Sequence, residues 1–278
     1  MPARAPEGPP PAPVVQRLRV RFAKRGRLRF LSHRDVARAF ERAILRAGLP
    51  VAYSAGFTPH PKLSWVGAAP TGAASLAEYV EIGLAEPRDP GRARADLDAS
   101  LPSGLDVLEC VPAAGGSLAD RVDASLWLMR LPADSAVLAA QALSRFLRLD
   151  RCEVERRTKD GRRQLDARSA VVHAVVTAGG GAGSLVDAGG LTGADAERNC
   201  AILGCVVRHT TPAVRPDDVL AALRVAAGFE AAASVATRLA QGRWEGGYVL
   251  ADPLAPDVMA AGRGTSAAPG CGSAAVGA

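Results

Sequence analysis

Several features that mark common classes of protein are missing from this sequence. No run approaches the roughly 20 apolar residues that a membrane-spanning helix requires. The first residues, MPARAPEGPPPAPVV, lack the apolar core of a signal peptide, so we expect a cytoplasmic protein with no membrane partner. The five cysteines show neither CxxC nor CxxxCxxC spacing, which argues against a zinc ribbon or an iron–sulfur cluster. We predict no metal and no cofactor, with Cys200 and Cys205 as the one closely spaced cysteine pair.

Lysine and aromatic residues are also scarce. Only Lys24, Lys62 and Lys159 are lysines among the 34 basic residues, so the other 31 are arginines. Aromatic residues make up 4% of the chain, and small and branched side chains must therefore fill most of its core. An apolar content of 48% excludes disorder throughout, and 278 residues suggest two domains of roughly 100 residues each.

Positive charge is concentrated in one stretch, residues 17–65. The stretch contains twelve basic residues against Asp35 and Glu41, which gives it a net charge of +10. Because the whole chain carries +6 and residues 1–16 balance, everything after Trp65 sums to −4. A local basic patch on an otherwise acidic chain indicates a polyanionic partner, but it does not indicate any particular reaction.

The order of predicted elements indicates an α+β fold. In residues 16–112, apolar residues that alternate with arginines predict a strand at 17–23, and Ser32 followed by Asp35 predicts the start of a helix at 33–47. Further strands are predicted at 51–53, 63–68, 77–84 and 105–111, with a helix at 89–100. This is the strand–helix–strand–strand–helix–strand order of a ferredoxin-like domain.

Residues 118–241 have the same order less regularly, so we predict two tandem ferredoxin-like domains. Asp160-Gly161 marks a hairpin between strands at 152–158 and 163–168. The other predicted elements are strands at 125–131, 170–177 and 200–208 and helices at 134–147 and 217–227. We expect the leader at 1–15 and the tail at 242–278, both rich in Pro, Gly or Ala, to be disordered.

Four segments of the basic domain resemble a known family. RFLSHRD, RAGLP, YSAGFTPHPKLSW and EYVEI are similar to FLSHLD, RAGLP, YSxGFNPHPKLSF and EYxDI of the radical SAM-linked family of uncharacterised bacterial proteins. The segment ERRTKDGRRQLDAR resembles the basic hairpin of that family, and the resemblance runs from about Arg17 to Arg238. Arg34, Thr58 and Trp65 depart from the pattern, which has Leu, Asn and Phe there.

The resemblance implies a role in RNA metabolism. Members of the family occur alone or as the C-terminal part of chains that carry a cobalamin-binding and radical SAM region. The stand-alone form is often encoded near an RNase E/G-type ribonuclease. This chain has no CxxxCxxC, so the resemblance implies a ribonuclease or a radical SAM enzyme as a partner rather than radical chemistry of its own.

RNA binding is the first hypothesis for the basic stretch. Basic side chains bind phosphates by releasing counterions, and aromatic side chains stack on unpaired bases. The alternative is that arginines repeated every four residues form only the solvated face of a helix. The residues that we expect to contact RNA are Arg19, Arg21, Lys24, Arg25, Arg27, Arg34, Arg38, Arg42, Phe57 and Lys62, together with Arg157 and Lys159 in the hairpin.

Two other hypotheses remain open. His33, His60 and Lys62 are suited to a metal-independent endoribonuclease, in which two imidazoles exchange protons with the ribose 2′-hydroxyl and the leaving oxygen while lysine holds the phosphate. Alternatively, the protein docks on a partner protein and binds no nucleic acid. The charged hairpin at 157–168 would then be a second contact strip, or its charges only protect a sheet edge from aggregation.

Overall fold

A computed structural model describes residues 11–158, 161–178, 200–231 and 235–265 of the chain. The strands in these residues are β1 Gln16–Lys24, β2 Leu63–Val66, β3 Ala74–Leu84, β4 Val107–Pro112, β5 Ala124–Pro132, β6 Glu153–Thr158, β7 Gly161–Asp166, β8 Val171–Ala178, β9 Cys200–Arg208, β10 Val235–Gly246 and β11 Val249–Ala251. The α-helices are α1 His33–Arg46, α2 Pro90–Ser100, α3 Ala136–Leu147, α4 Ala167–Ala170, α5 Pro216–Ala227 and α6 Ala255–Thr265.

The mixed α/β class is confirmed, and one large sheet organises the molecule. Its strand order is β4-β1-β3-β10-β5-β9-β8, with β2 beside β3 and β11 beside β10. The hairpin β6–β7 forms a separate two-stranded sheet. The sequence predicted two domains, whereas the structure joins both halves in one nine-stranded sheet through the pairing of β10 with β3 and β5.

The alternating pattern of β1 determines how the basic half packs. Leu18, Val20 and Phe22 are buried in a core against α1 and α2, because successive side chains of a strand point to opposite faces. Helix α1 begins at its predicted residue, where the Ser32 hydroxyl accepts a hydrogen bond from the Asp35 N–H at 3.3 Å. The alternate residues of β1, including Arg17 and Arg19, therefore lie on the sheet face opposite to α1.

The main helices lie on one face of the sheet. In the C-terminal half, α3 and α5 bury Met129, Leu203 and Phe146 in a second core. Arg238 links the two cores. Its guanidinium stacks on Trp127 of the second core and pairs with Glu78. Glu78 lies directly opposite Phe22 of the first core, so both cores are on the same face of the sheet. We call this the helical face. It positions α1 and the β6–β7 hairpin on the same side of the sheet.

The opposite face is covered by the C-terminal segment. Residues 242–265, which the sequence predicted to belong to a disordered tail, form the end of β10, β11 and α6. Leu254 is fully buried against Tyr79, Val111 and Leu118, and Asp257 of α6 is fully buried as well. The prediction of disorder from Gly- and Ala-rich composition was therefore wrong for these residues, because a few side chains of the segment are anchored in the fold. Residues 1–10 and 266–278 lie outside the described residues.

The longest helix in the described ranges, α1, has 14 residues. None of the helices there is both long enough and apolar enough to cross a bilayer.

Candidate nucleic-acid interface

The arginines of β1 are neutralised by acidic side chains. Arg17 contacts Glu81 at 3.1 Å, and Arg21 contacts Glu109 at 3.1 Å. Arg25, just after the strand, lies 3.8 Å from Asp106. These three arginines are partly exposed, but each has a carboxylate beside it, so they add little net positive potential to the surface.

Arg19 is a structural residue and not a surface contact. Its side chain is 1% exposed, and all five N–H groups of the guanidinium are used. Nε donates to Glu81 at 3.0 Å, Nη1 donates to both Asp257 oxygens at 2.9 Å, and Nη2 donates to the carbonyls of Gly115 and Gly116. Arg19 was expected to bind RNA, and the structure instead assigns it to the attachment of α6.

Burial also corrects the expectation for Lys24. Its side chain ends at the carbonyls of Ala69 and Pro70, each 3.2 Å from Nζ, and the residue is 2% exposed. Burial lowers the pKa of Lys24, and Arg238 lowers it further, while Glu78 opposes the change. Lys24 therefore has no access to a phosphate from solvent.

The arginines of α1 and of the preceding turn have a different environment. Arg34, Arg38 and Arg42 are exposed on the outer side of α1, and Arg27 is exposed in the 3₁₀ helix Gly26–Phe30. In the described part of the chain, none of the four has a carboxylate within salt-bridge distance. The last member of the repeat, Arg46, donates a hydrogen bond to the Ser100 carbonyl. We call Arg27, Arg34, Arg38 and Arg42 the open arginines.

The start of α1 does not itself offer an anion site. The hydroxyl of Ser32 donates to Asp35 at 2.6 Å and holds the pKa of that carboxyl below its usual value, with Arg38 and Arg34 acting in the same direction. A charged carboxylate thus occupies the positive end of the helix dipole. The backbone of the first turn is therefore already occupied by Asp35, whereas the open arginines are exposed.

Two aromatic side chains are presented to solvent near this surface. Phe57, predicted from the sequence, is 72% exposed in the loop between residues 53 and 61. Phe30, which the sequence analysis did not select, is 58% exposed at the end of the 3₁₀ helix, with the Arg29 guanidinium 4.4 Å from the centre of its ring. Its position two residues before the Ser32 cap was the available signal. Trp65, by contrast, packs edge-on against Phe40 and His33 at 5.2 Å each.

The three residues of the proposed endoribonuclease are not assembled into a site. The ring of His33 contacts Trp65 on the helical face, whereas His60 is exposed in the 53–61 loop. Lys62 is on the opposite side of the sheet. A Cβ added to Gly83 would lie 3.4 Å from the Cβ of Lys62, and Gly83 shares its sheet face with Glu81, which is two residues away in β3. Within the described residues, no hydrogen bond or ring contact joins His33, His60 and Lys62.

The β6–β7 hairpin carries a second group of exposed cations. Arg157 lies directly opposite Arg162, and Arg156 lies opposite Arg163. Arg156 is anchored to Asp218 of α5, and Arg162 contacts Glu155 at 3.2 Å, which leaves Arg157 and Arg163 exposed. Lys159, the other predicted hairpin contact, lies outside the described residues.

A groove of about 690 Å³ opens on the sheet face opposite to the helices. It is lined by Arg17, Arg19, Ser64 and Glu81 and by the segment at 112–119. Because the donors of Arg19 are all used and Arg17 faces Glu81, the groove has no surplus of positive charge. It is therefore a weaker candidate for a polyanion than the surface of α1.

Three of the described cysteines are buried and unsuited to nucleophilic chemistry. Burial raises the pKa of Cys205 to about 12, so the thiolate that a nucleophile needs is not formed near neutral pH. Cys110 and Cys152 are buried too, and Cys271 lies outside the described residues.

Comparison with known proteins supports a family but no activity. No curated protein matches the sequence. A family model described as an uncharacterised protein conserved in bacteria, DUF2344, matches residues 17–216. The matched region includes α1, the 53–61 loop and the β6–β7 hairpin, and it ends before β10. Since it covers well over half of the chain, this protein belongs to the DUF2344 family of uncharacterised bacterial proteins.

Proposed function

We propose that this protein is an RNA-binding accessory module in RNA processing or modification, acting in the cytoplasm with a ribonuclease or a radical SAM enzyme. The observation that carries the proposal is the division of the arginines between the two faces of the sheet. On β1 the arginines are paired with Glu81, Glu109 and Asp257. The open arginines of α1 and of the turn before it are exposed and form no salt bridge within the described residues, although Arg34 and Arg38 attract Asp35 at longer range.

Unpaired cations on a helix surface have a cost that a polyanion relieves. Arg34, Arg38 and Arg42 follow one another at four-residue spacing, where like charges repel by a few tenths of a kcal/mol per pair. An RNA backbone replaces this repulsion by attraction and releases its condensed counterions. A surface that only needed solubility would gain more from mixed charges.

The hairpin supports the same interpretation. Like charges directly opposite each other on neighbouring strands are destabilising. Arg157 faces Arg162, and Glu155 pairs with Arg162, so Arg157 is the exposed cation that a polyanion would neutralise. The hairpin lies on the helical face, as α1 does, so one extended RNA can contact both. We interpret the halves, with strand orders β4-β1-β3-β2 and β10-β5-β9-β8, as two ferredoxin-like units fused along β10.

The test compares two variants with the same change in charge. Arg34→Gln/Arg38→Gln/Arg42→Gln removes three open arginines and keeps good helix formers on α1. Arg17→Gln/Arg21→Gln/Arg25→Gln removes three paired arginines from the same basic stretch. Affinity for a fluorescein-labelled single-stranded RNA is measured by anisotropy over a range of salt concentrations, and circular dichroism verifies that each variant is folded.

The first variant is expected to lower the slope of log affinity against log salt by about 2, since each phosphate contact on a single strand contributes about 0.7. The second is expected to change the slope by less than half as much. Equal effects, or no salt-sensitive binding by the unsubstituted protein, would overturn the proposal and leave a role in protein docking. RNA cleavage that His60→Ala abolishes would instead identify the protein as an endoribonuclease.

A further inference from the structure

The 3₁₀ helix Gly26–Phe30 presents an aromatic ring that the fold does not need. Phe30 is 58% exposed, while its neighbours Leu28 and Leu31 are partly buried against the N-terminal core. A large apolar side chain normally gains free energy by burial, and two adjacent leucines in the same turn do so. Phe30 therefore remains outside the core although the turn around it is packed.

This turn is fixed to the body of the protein. The Arg25 N–H donates to the Gly104 carbonyl at 2.8 Å, and the Gly72 N–H donates to the Arg29 carbonyl at 2.8 Å. A Cβ on Gly104 would lie 3.1 Å from the Arg25 carbonyl oxygen and 3.4 Å from Leu28, so the packing beneath the turn is close. The ring of Phe30 is thus held on a rigid support, which lowers the entropy that ordering it on binding would cost.

One cationic side chain contacts the ring, and two more are exposed close by in the chain. Arg29 lies over the ring at 4.4 Å, and exposed Arg27 and Arg34 lie three and four residues away along the chain. Within the described residues, no carboxylate forms a salt bridge with any of these three. Arg29 restrains the orientation of the ring, and the exposed fraction of Phe30 that remains is open to solvent.

We infer that Phe30, oriented by Arg29, is a stacking platform for an unpaired base of single-stranded RNA, an inference that rests on the proposed function. An aromatic ring among unpaired arginines matches a nucleotide, whose base stacks on the ring while its phosphates contact the cations. A duplex keeps its bases stacked internally and cannot offer one to the ring. The platform thus selects single-stranded segments and is tolerant of sequence.

The experiment uses the full chain with two labelled probes, single-stranded U12 and a 12-base-pair RNA duplex. Phe30→Ala is expected to weaken U12 binding between about 5-fold and about 150-fold, the loss typical of one stacked base. Its effect on the duplex is expected to stay below about 2-fold, and the salt slope should not change because no charge is removed. Phe30→Tyr should restore the affinity for U12.

Leu45→Ala is the matched control, because Leu45 is 69% exposed on α1 and is also apolar. It should leave U12 binding within about 2-fold of the unsubstituted protein. In Phe30→Trp, the new indole should lose fluorescence when U12 is added, in excess of any change in the unsubstituted protein. That readout follows stacking itself and is independent of affinity.

Two failures are distinguishable. If the open-arginine variant lowers the salt slope but Phe30→Ala binds U12 normally, RNA binding stands and the platform is overturned, with Phe30 assigned to contact with a partner protein. Equal losses for U12 and duplex would overturn it as well. If the open-arginine variant has no effect on the slope, the proposed function itself fails.

Discussion

Arginines only two residues apart in this sequence have opposite surroundings. Arg17 is half exposed beside one carboxylate, whereas Arg19 is buried with five hydrogen bonds. Burying a guanidinium is favourable only when its charge is paired and its donors are satisfied. Asp257 supplies most of that compensation through its two hydrogen bonds with Arg19. The same carboxylate accepts hydrogen bonds from Arg121 at 2.8 Å and from the Ala114 N–H at 2.8 Å, which hold it in place.

Replacing Asp257 should therefore be strongly destabilising. Asp257→Asn leaves Arg19 buried without its main counter-charge, and we expect the free energy of unfolding to fall by about 3–5 kcal/mol. Urea denaturation followed by circular dichroism measures the change. Asp96→Asn is the control, because Asp96 lies 3.8 Å from Arg92 on the exposed side of α2 and should cost no more than about 0.5 kcal/mol. A loss below about 1 kcal/mol for Asp257→Asn would contradict the structural role of the cluster.

The same carboxylate predicts a dependence of stability on pH. Burial alone would raise the pKa of Asp257, but the Ala114 N–H and the guanidinium groups of Arg19 and Arg121 outweigh burial and hold it below its usual value. A carboxyl with a lowered folded-state pKa contributes stability above its unfolded pKa and loses it as pH falls through the folded one. The stability difference between the unsubstituted protein and Asp257→Asn should hence be constant from pH 7 to about 5 and shrink below about pH 4. A difference that stays constant into acid would contradict this assignment.

Helix α1 shows what could be predicted from the sequence about a single element. The cap at Ser32 and the buried stripe through Val36, Phe40 and Ile44 are local properties, and the observed helix ends one residue before its predicted end. Three of the open arginines, Arg34, Arg38 and Arg42, follow from the same periodicity, because a residue opposite to the stripe must face solvent. The pairing of Arg19 could not be predicted in this way, since its partner Asp257 is 238 residues away.

The hairpin β6–β7 is attached by an ion pair to α5 as well as by the burial of Val154 and Leu165 in the second core. Asp218 of α5 is 5% exposed and accepts from the Arg156 Nε at 2.9 Å and from the Arg215 N–H at 2.6 Å. Asp218→Ala should destabilise the protein by about 3 kcal/mol, since it leaves Arg156 partly buried without a partner. It should also expose the hairpin, so limited trypsinolysis should cleave first after hairpin arginines.

Asp217→Ala provides a matched control for the hairpin. Asp217 is the preceding residue of α5, carries the same charge and is exposed. Its replacement should leave both the unfolding free energy and the rate of trypsin cleavage close to those of the unsubstituted protein. Equal cleavage rates in the two variants would show that the ion pair does not hold the hairpin.

The two halves of the molecule should unfold together. Strand β10 bonds to β3 on one side and to β5 on the other, and buried Arg238 pairs with Glu78 across the boundary. Variants can keep only Trp65 or only Trp127, with Phe in place of the other tryptophans. The fluorescence of the remaining tryptophan then follows the unfolding of one half. Their urea midpoints should coincide, as in a two-state transition. Midpoints that differ by more than about 0.5 M would show that the halves are independent domains.

The sequence predicted the elements of both halves better than their arrangement. The alternation in β1 and the Asp160-Gly161 turn are local signals, and the structure has a strand and a hairpin there. The position of β10 is not local, because a strand pattern does not reveal which neighbours it pairs with. The anchoring of α6 was missed for a similar reason, since it rests on Leu254 and Asp257 within a segment of otherwise low complexity.

The central place of β10 determines how a nascent chain can complete this molecule. Strand β5 leaves the ribosome before both of its neighbours, and the side that pairs with β10 stays unpaired until residues 235–246 have been translated. During that interval the growing polypeptide presents an open strand edge to its surroundings, which is the surface that chaperones shield from aggregation. A premature stop codon shortly before β10 would consequently produce two incomplete half-sheets rather than a shorter working protein.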